Sequence, residues 1–116
     1  MSDPLLELRD ALRAFAAERD WDQFHSPRNL ATALAVEAAE LLEPFQWLND
    51  AQAASLSPET RAAVEQEMAD VLLYLVRLAD KLDVDLAAAA WAKIVKNGEK
   101  YPVERSRGSS RKYDEL

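Results

Sequence analysis

The 116-residue chain has no cysteine, one histidine and two glycines. Without cysteine there is no disulfide scaffold, no thiolate nucleophile and no Cys-ligated zinc site. A lone His25 argues against a histidine-built metal centre and against a Ser-His-Asp triad. No apolar run approaches the ~20 residues needed to span a bilayer. The opening MSDPLLELRD lacks a basic, apolar leader, so a cytoplasmic location and no membrane partner are expected. The glycines, Gly98 and Gly108, are few while Ala, Leu and Glu abound, which favours helix nearly throughout. No stretch alternates as a strand would.

What is present is an apolar fraction of 49% and a charged fraction of 30%, a composition that folds rather than stays disordered. The length fits one domain with a thin core, and oligomerisation is a natural way to bury more surface. The net charge of −7 is unevenly spread, because residues 93–112 carry seven Lys or Arg against two Glu. An acidic body with one basic end suits a small anionic ligand better than a long nucleic acid. A solvated basic tail is the plainer reading of that strip when charge alone is considered.

Proline marks the helix starts. Asp3-Pro4, Ser26-Pro27 and Ser57-Pro58 each read as an N-cap followed by proline at the first helical position. The predicted helices run over 3–19, 26–43, 57–82 and 85–97, with Gly98 placed as the residue that stops the last one. Pro44 should kink or restart the second helix, and 49–57 reads as a polar loop. The expected architecture is all-α, a four- to five-helix bundle over residues 1–102 that assembles into an oligomer, with a basic polar tail over 103–116.

Two helices break their own apolar stripe. The second carries Leu30, Leu34, Leu41, Phe45 and Leu48, and the step missing between Leu34 and Leu41 is Glu37, with Glu40 three residues on. The third carries Val64, Val71, Tyr74, Leu78 and Leu82, and the step missing between Val64 and Val71 is Glu67, with Asp70 three residues on. One acidic pair on a helix is ordinarily a wet face or a partner for Lys and Arg. Two matching pairs on the seams of two helices are costly to bury unless a cation joins them. Oxygen-only ligands favour Mg²⁺, with Mn²⁺ as a substitute, and magnesium commonly brings substrate phosphates with it.

With Glu37, Glu40, Glu67 and Asp70 stand further stretches: AAERDW over 16–21, QFH over 23–25, PRNL over 27–30, FQW over 45–47, DVL with YLV over 70–76, and SRKY over 110–113. Together, from about Leu8 to Leu116, they resemble the all-α nucleoside triphosphate pyrophosphohydrolases of the MazG-like superfamily, and most of all its dCTP pyrophosphatases. The resemblance implies hydrolysis of a deoxynucleoside triphosphate to the monophosphate and pyrophosphate, with the four acids as Mg²⁺ ligands. One glutamate, Glu37 or Glu40, is expected to double as the base for the attacking water. The resemblance implies a base pocket from Trp21, Asp22, Gln23, Phe24, His25, Trp47 and Tyr74, and phosphate-side residues Lys93, Asn97, Lys100 and Tyr101. It also implies a homo-oligomer, a tetramer or a dimer. Trp91 matches no motif and is read as packing or interface.

Pro44 interrupts a stretch expected to be continuous helix in relatives, and Leu12 stands where close relatives can carry a histidine; both bear on base and sugar preference. The competing readings are the same chemistry on dUTP or on nucleoside triphosphates at large, and a non-catalytic helical module whose acidic seams set oligomer register.

Overall fold

Four side chains start the four long helices. In the computed structural model, which describes residues 3–116, Asp3 accepts a hydrogen bond from the Leu5 amide at 2.9 Å and opens α1, Pro4–Glu18. Ser26 Oγ accepts from the Asn29 amide at 3.1 Å and opens α2, Pro27–Leu42. A one-turn helix α3, Asp50–Ala53, follows. Ser57 Oγ accepts from the Thr60 amide at 3.2 Å and opens α4, Pro58–Lys81. Asp85 Oδ1 accepts from the Ala88 amide at 3.0 Å and opens α5, Leu86–Lys100. A last short helix, α6, covers Val103–Ser106. No strand occurs among the described residues, in keeping with the all-α expectation.

With glycine scarce, aspartate makes the left-handed stops. Asp20 (φ 55°) and Asp83 (φ 54°) both adopt the αL conformation one residue past a helix C-cap. After α1 the Trp21 amide donates to the Ala16 carbonyl at 2.9 Å and the Asp20 amide to Ala17 at 3.2 Å. After α4 the Val84 amide donates to Ala79 at 2.8 Å and the Asp83 amide to Asp80 at 3.2 Å. Each is a paired Schellman closure, in which a short polar side chain tolerates φ > 0. The first of them fixes the position of Trp21 at the end of α1.

The chain divides into two compact units, one ending at Val84 and one spanning Asp85–Leu116. In the first, α4 packs against both α2 and α1. The buried apolar residues there are Ala16, Leu30, Val64, Val76 and Ala79, and Leu30 at 1% exposure is the largest side chain fully enclosed. In the second unit α5 buries none of its residues. At 100° per residue, Lys93, Asn97 and Lys100 form one strip of α5, and Trp91 and Val95 lie on the opposite side.

Two local expectations are corrected. Gly98 does not end the last helix: α5 continues to Lys100, Gly98 is not in the positive-φ region, and Tyr101 before Pro102 is where the helix stops. The segment 49–57 is not wholly loop, because Asn49 and Gln52 form a reciprocal capping box that nucleates α3. The stretch 103–116 holds α6 and a 3-10 turn over Tyr113–Glu115, with the Tyr101 and Tyr113 rings edge-to-face at 6.2 Å. Pro44 acts as expected: α2 ends at Leu42 and the backbone tightens into a 3-10 turn over Glu43–Phe45.

Candidate active site

The seam positions of α2 and α4 bring their acids together. Carboxylate oxygens of Glu37, Glu67 and Asp70 lie within 4.8 Å of one another. Glu37 Oε2 and Glu67 Oε2 are buried and have no hydrogen-bond partner. A buried carboxylate oxygen without a donor is costly. The leading charges that act on these two carboxyls are those of other acids. Burial, with the charges of Glu40 and Asp70, pushes the Glu37 carboxyl up to about 7 from its ordinary 4.5. Burial and the charges of Glu40 and Asp70 also raise Glu67. Glu40 is therefore a close electrostatic neighbour, although the tight trio is Glu37, Glu67 and Asp70. An all-oxygen donor set with orphaned buried atoms fits a hard divalent cation.

These shifts fix a sign. A carboxyl whose folded pKa is raised stabilises the metal-free fold below its ordinary value, and that contribution is lost as pH rises through the folded value. For Glu37 the window runs from about 4.5 to about 7. Thermal melts in chelator are expected to show stability falling across that window. Added divalent cation is expected to reverse the fall, because it favours the ionised acids. Melts that stay level across the window in chelator would contradict this charge assignment.

A pocket of about 400 Å³ opens beside the acids, and Asp70 belongs to both. α1 lines it with Leu8, Leu12 and Phe15, and α4 with Asp70, Leu73, Tyr74 and Arg77. Trp21 and His25 enter from the connection between α1 and α2, and the Trp21 ring meets Phe15 edge-to-face at 5.7 Å. The volume is in the range of a small-molecule site, and the walls are apolar with a few polar groups.

Of the residues expected to bind substrate, Trp21, His25 and Tyr74 line this pocket. Asp22 instead accepts from Arg77 at 2.6 Å and from Lys81, and its hydrogen bond from Lys81, with both cations nearby, holds its carboxyl below the usual range. The Gln23 amide donates to the Asp20 carbonyl at 3.0 Å. Phe24 is exposed, and Trp47 is 86% exposed beyond the Glu43–Phe45 turn. Lys93, Asn97 and Lys100 lie on α5, and Tyr101 caps it. Lys100 Nζ sits 5.1 Å from the centre of the Tyr113 ring.

Sequence reasoning missed Arg77. It is 5% exposed, lines the pocket and donates from Nε to His25 Nδ1 at 3.1 Å. A cue did exist: Asp70, Tyr74 and Arg77 are spaced i, i+4, i+7 and share one face.

The MazG-like family matches residues 32–116. The chain belongs to the MazG-like family. This MazG-like chain is 50% identical to dCTP pyrophosphatase 1 of Rattus norvegicus over 98% of its own length and 69% of that protein's. It is likewise 50% identical to dCTP pyrophosphatase 1 of Homo sapiens, over 98% of this chain and 69% of the human one. The crystal structure of a pyrophosphatase from Archaeoglobus fulgidus superposes with a TM-score of 0.82 at 39% identity, covering 88% of this chain and 95% of that one.

Proposed function

We propose that this MazG-like protein hydrolyses dCTP, or a modified dCTP, to the monophosphate and pyrophosphate, with Mg²⁺ as cofactor and Mn²⁺ as a substitute. The observation that carries the reading is the trio Glu37, Glu67 and Asp70, with two buried unpartnered oxygens, opening through Asp70 onto a pocket lined by Trp21, His25 and Tyr74. The relatives named dCTP pyrophosphatase 1 support the choice of substrate. Incubating the protein with Mg²⁺ and each deoxynucleoside triphosphate in turn, then identifying products by mass, tests it. dCMP with pyrophosphate is expected, and dCTP is expected to outpace dUTP. Comparable turnover of every triphosphate would replace this reading with a general one, and no turnover at all would leave a helical binding module.

Glu37, Glu40, Glu67 and Asp70 would hold the cation, which when bound offsets triphosphate charge and polarises the α-phosphoryl group. Glu37 is proposed to accept the proton of the attacking water, and Glu40 stands beside it as the alternative. Water adds at the α-phosphorus, the bond to the bridging oxygen breaks, and pyrophosphate leaves. Lys93, Asn97, Lys100 and Tyr101 are proposed to meet the phosphates, and the Lys93–Asn97–Lys100 strip supports this. Trp21 and Tyr74 supply aromatic surface to the base, and Asp22, Gln23, Phe24 and Trp47 are kept as proposed parts of that subsite. Replacing Trp21 with alanine is expected to raise KM for dCTP about tenfold or more, the worth of one base stack, with kcat changed less. An unchanged KM would remove Trp21 from the subsite.

The oligomer belongs to the same proposal. Trp47, Trp91, Ile94 and Val95 are exposed, the last three on a helix that buries nothing, and such apolar surface on a small chain favours a homo-oligomer, a tetramer or a dimer. Light scattering decides between these states and a monomer. Residues 1–102 are proposed as the pyrophosphohydrolase domain and 103–116 as its basic tail. A cytoplasmic site of action suits a nucleotide-pool enzyme, and no described helix is long and apolar enough to cross a membrane.

A further inference from the structure

Beside the acids lies a second polar cluster that the hydrolytic chemistry does not use. Arg77 is buried, and each of its nitrogens has a partner. Nε donates to His25 Nδ1 at 3.1 Å, one terminal nitrogen donates to Asp22 at 2.6 Å, and the other reaches Asp80 at 3.4 Å. Asp80 is itself clamped by Arg13, with distances of 2.8 and 2.5 Å, and Asp22 by Lys81. The guanidinium is thus held from three sides, and its orientation toward His25 is set before any ligand arrives.

That orientation has a chemical consequence. A guanidinium offers only donors, so the ring nitrogen facing it must be an acceptor. His25 Nδ1 therefore keeps its lone pair, and the ring carries its hydrogen on Nε2. An imidazolium would place an N–H against the Arg77 N–H. Burial, with the nearby charges of Arg77 and Lys81, disfavours the imidazolium in the same sense, and Asp22 only partly opposes them. His25 lines the pocket, so the group it can offer there is a neutral N–H donor.

We propose that Arg77 is a positioning residue that locks His25 as the Nε2–H tautomer, so that His25 meets the nucleobase as a hydrogen-bond donor and favours a base edge presenting an acceptor. The proposal rests on the pocket being the base site. It assigns His25 to recognition and removes it from the candidates for general base, since the nitrogen free to act already carries the proton. Cytosine and uracil both offer an acceptor at O2, but cytosine N3 is an acceptor whereas uracil N3 carries a hydrogen, so a fixed donor discriminates between them where it meets N3.

The chain's lone histidine makes the test direct. Nitrogen-15 NMR of histidine-labelled protein reads the tautomer without ambiguity of assignment and without substrate. Wild type is expected to show the Nε2–H form at neutral pH. Arg77→Met is expected to show a tautomer mixture, a raised KM for dCTP of roughly five- to tenfold, the size of one hydrogen bond, and a kcat within about twofold. Arg77→Lys keeps the charge without the fixed fork and is expected to fall between. If Arg77→Met does not fold, the wild-type and Arg77→Lys spectra decide. Nδ1–H or imidazolium in wild type, or a tautomer unchanged in the variants, overturns the proposal. A tautomer change with unaltered KM overturns its ligand half. Failure of wild type to hydrolyse dCTP would instead strike the substrate reading, and the NMR comparison would still decide the lock.

Discussion

Glu67→Gln is expected to lower kcat by at least about a thousandfold and, in the same protein, to raise the melting temperature in chelator. The two effects have opposite signs for one reason. Glu67 Oε2 is buried without a donor, among Glu37, Glu40 and Asp70. Without a cation its charge opposes the fold, and the neutral amide removes both that charge and part of the repulsion on Glu37. With a cation its charge is a ligand, and the amide is a poor replacement. Melting curves with and without Mg²⁺, alongside dCTP turnover, check both. The Mg²⁺-induced rise seen in wild type is expected to shrink or vanish in the variant. A variant that loses activity and also melts lower in chelator would mean that Glu67 is held by partners in the ligand-free fold, contrary to the charge balance described here.

Asp80→Asn is expected to be the most destabilising of the substitutions considered. The Asp80 side chain is 8% exposed and joins Arg13 of α1 to Arg77 of α4. Removing its charge leaves Arg77 buried with fewer acceptors, which costs on the order of 3 kcal/mol when a buried pair is broken from one side. That corresponds to a loss in melting temperature on the order of 10 °C. The hydrogen bond from Arg13, together with the charges of Arg13 and Arg77, holds the Asp80 carboxyl below its ordinary 3.8. A depressed carboxyl stabilises the fold above its unfolded pKa and loses that contribution as pH falls. The gap between wild type and variant should therefore be full at pH 7 and should narrow below pH 3.8. A gap that is constant with pH would mean that Asp80 acts through packing rather than charge.

How much of this was legible beforehand depends on the range of the interaction. The N-caps at Asp3, Ser26 and Ser57 were legible, because cap and proline act within three residues. The acids were legible as gaps in a stripe: a missing apolar step at Glu37 and at Glu67 needs only helical periodicity, and α2 does pack on α4. Arg77 was legible only in part. Its place on one face with Asp70 and Tyr74 is a local cue, but its partners His25 and Asp22 lie 52 and 55 residues away, so its burial and pairing are not written in the local pattern. The Gly98 stop failed for a related reason. Glycine permits a left-handed residue but does not impose one, and the actual stops at Asp20 and Asp83 came from paired backbone closures that an aspartate can satisfy. The resemblance puts Trp47 in the base site, and in the isolated chain its side chain is 86% exposed. No local pattern determines whether a side chain past a proline-tightened turn faces a pocket.

The central claim is that α2 and α4 enclose carboxylates whose charge requires a divalent counterion. Calorimetric titration of Mn²⁺ into the metal-free protein at pH 6.5, in two buffers of different ionisation enthalpy, tests it most directly. Saturable binding with net proton release is predicted, because the metal-free site raises the Glu37 carboxyl to about 7 and a bound cation would displace its proton, and Glu67→Gln should weaken the binding severely. Absence of saturable binding, or binding with no proton release and no sensitivity to Glu67→Gln, would contradict the account.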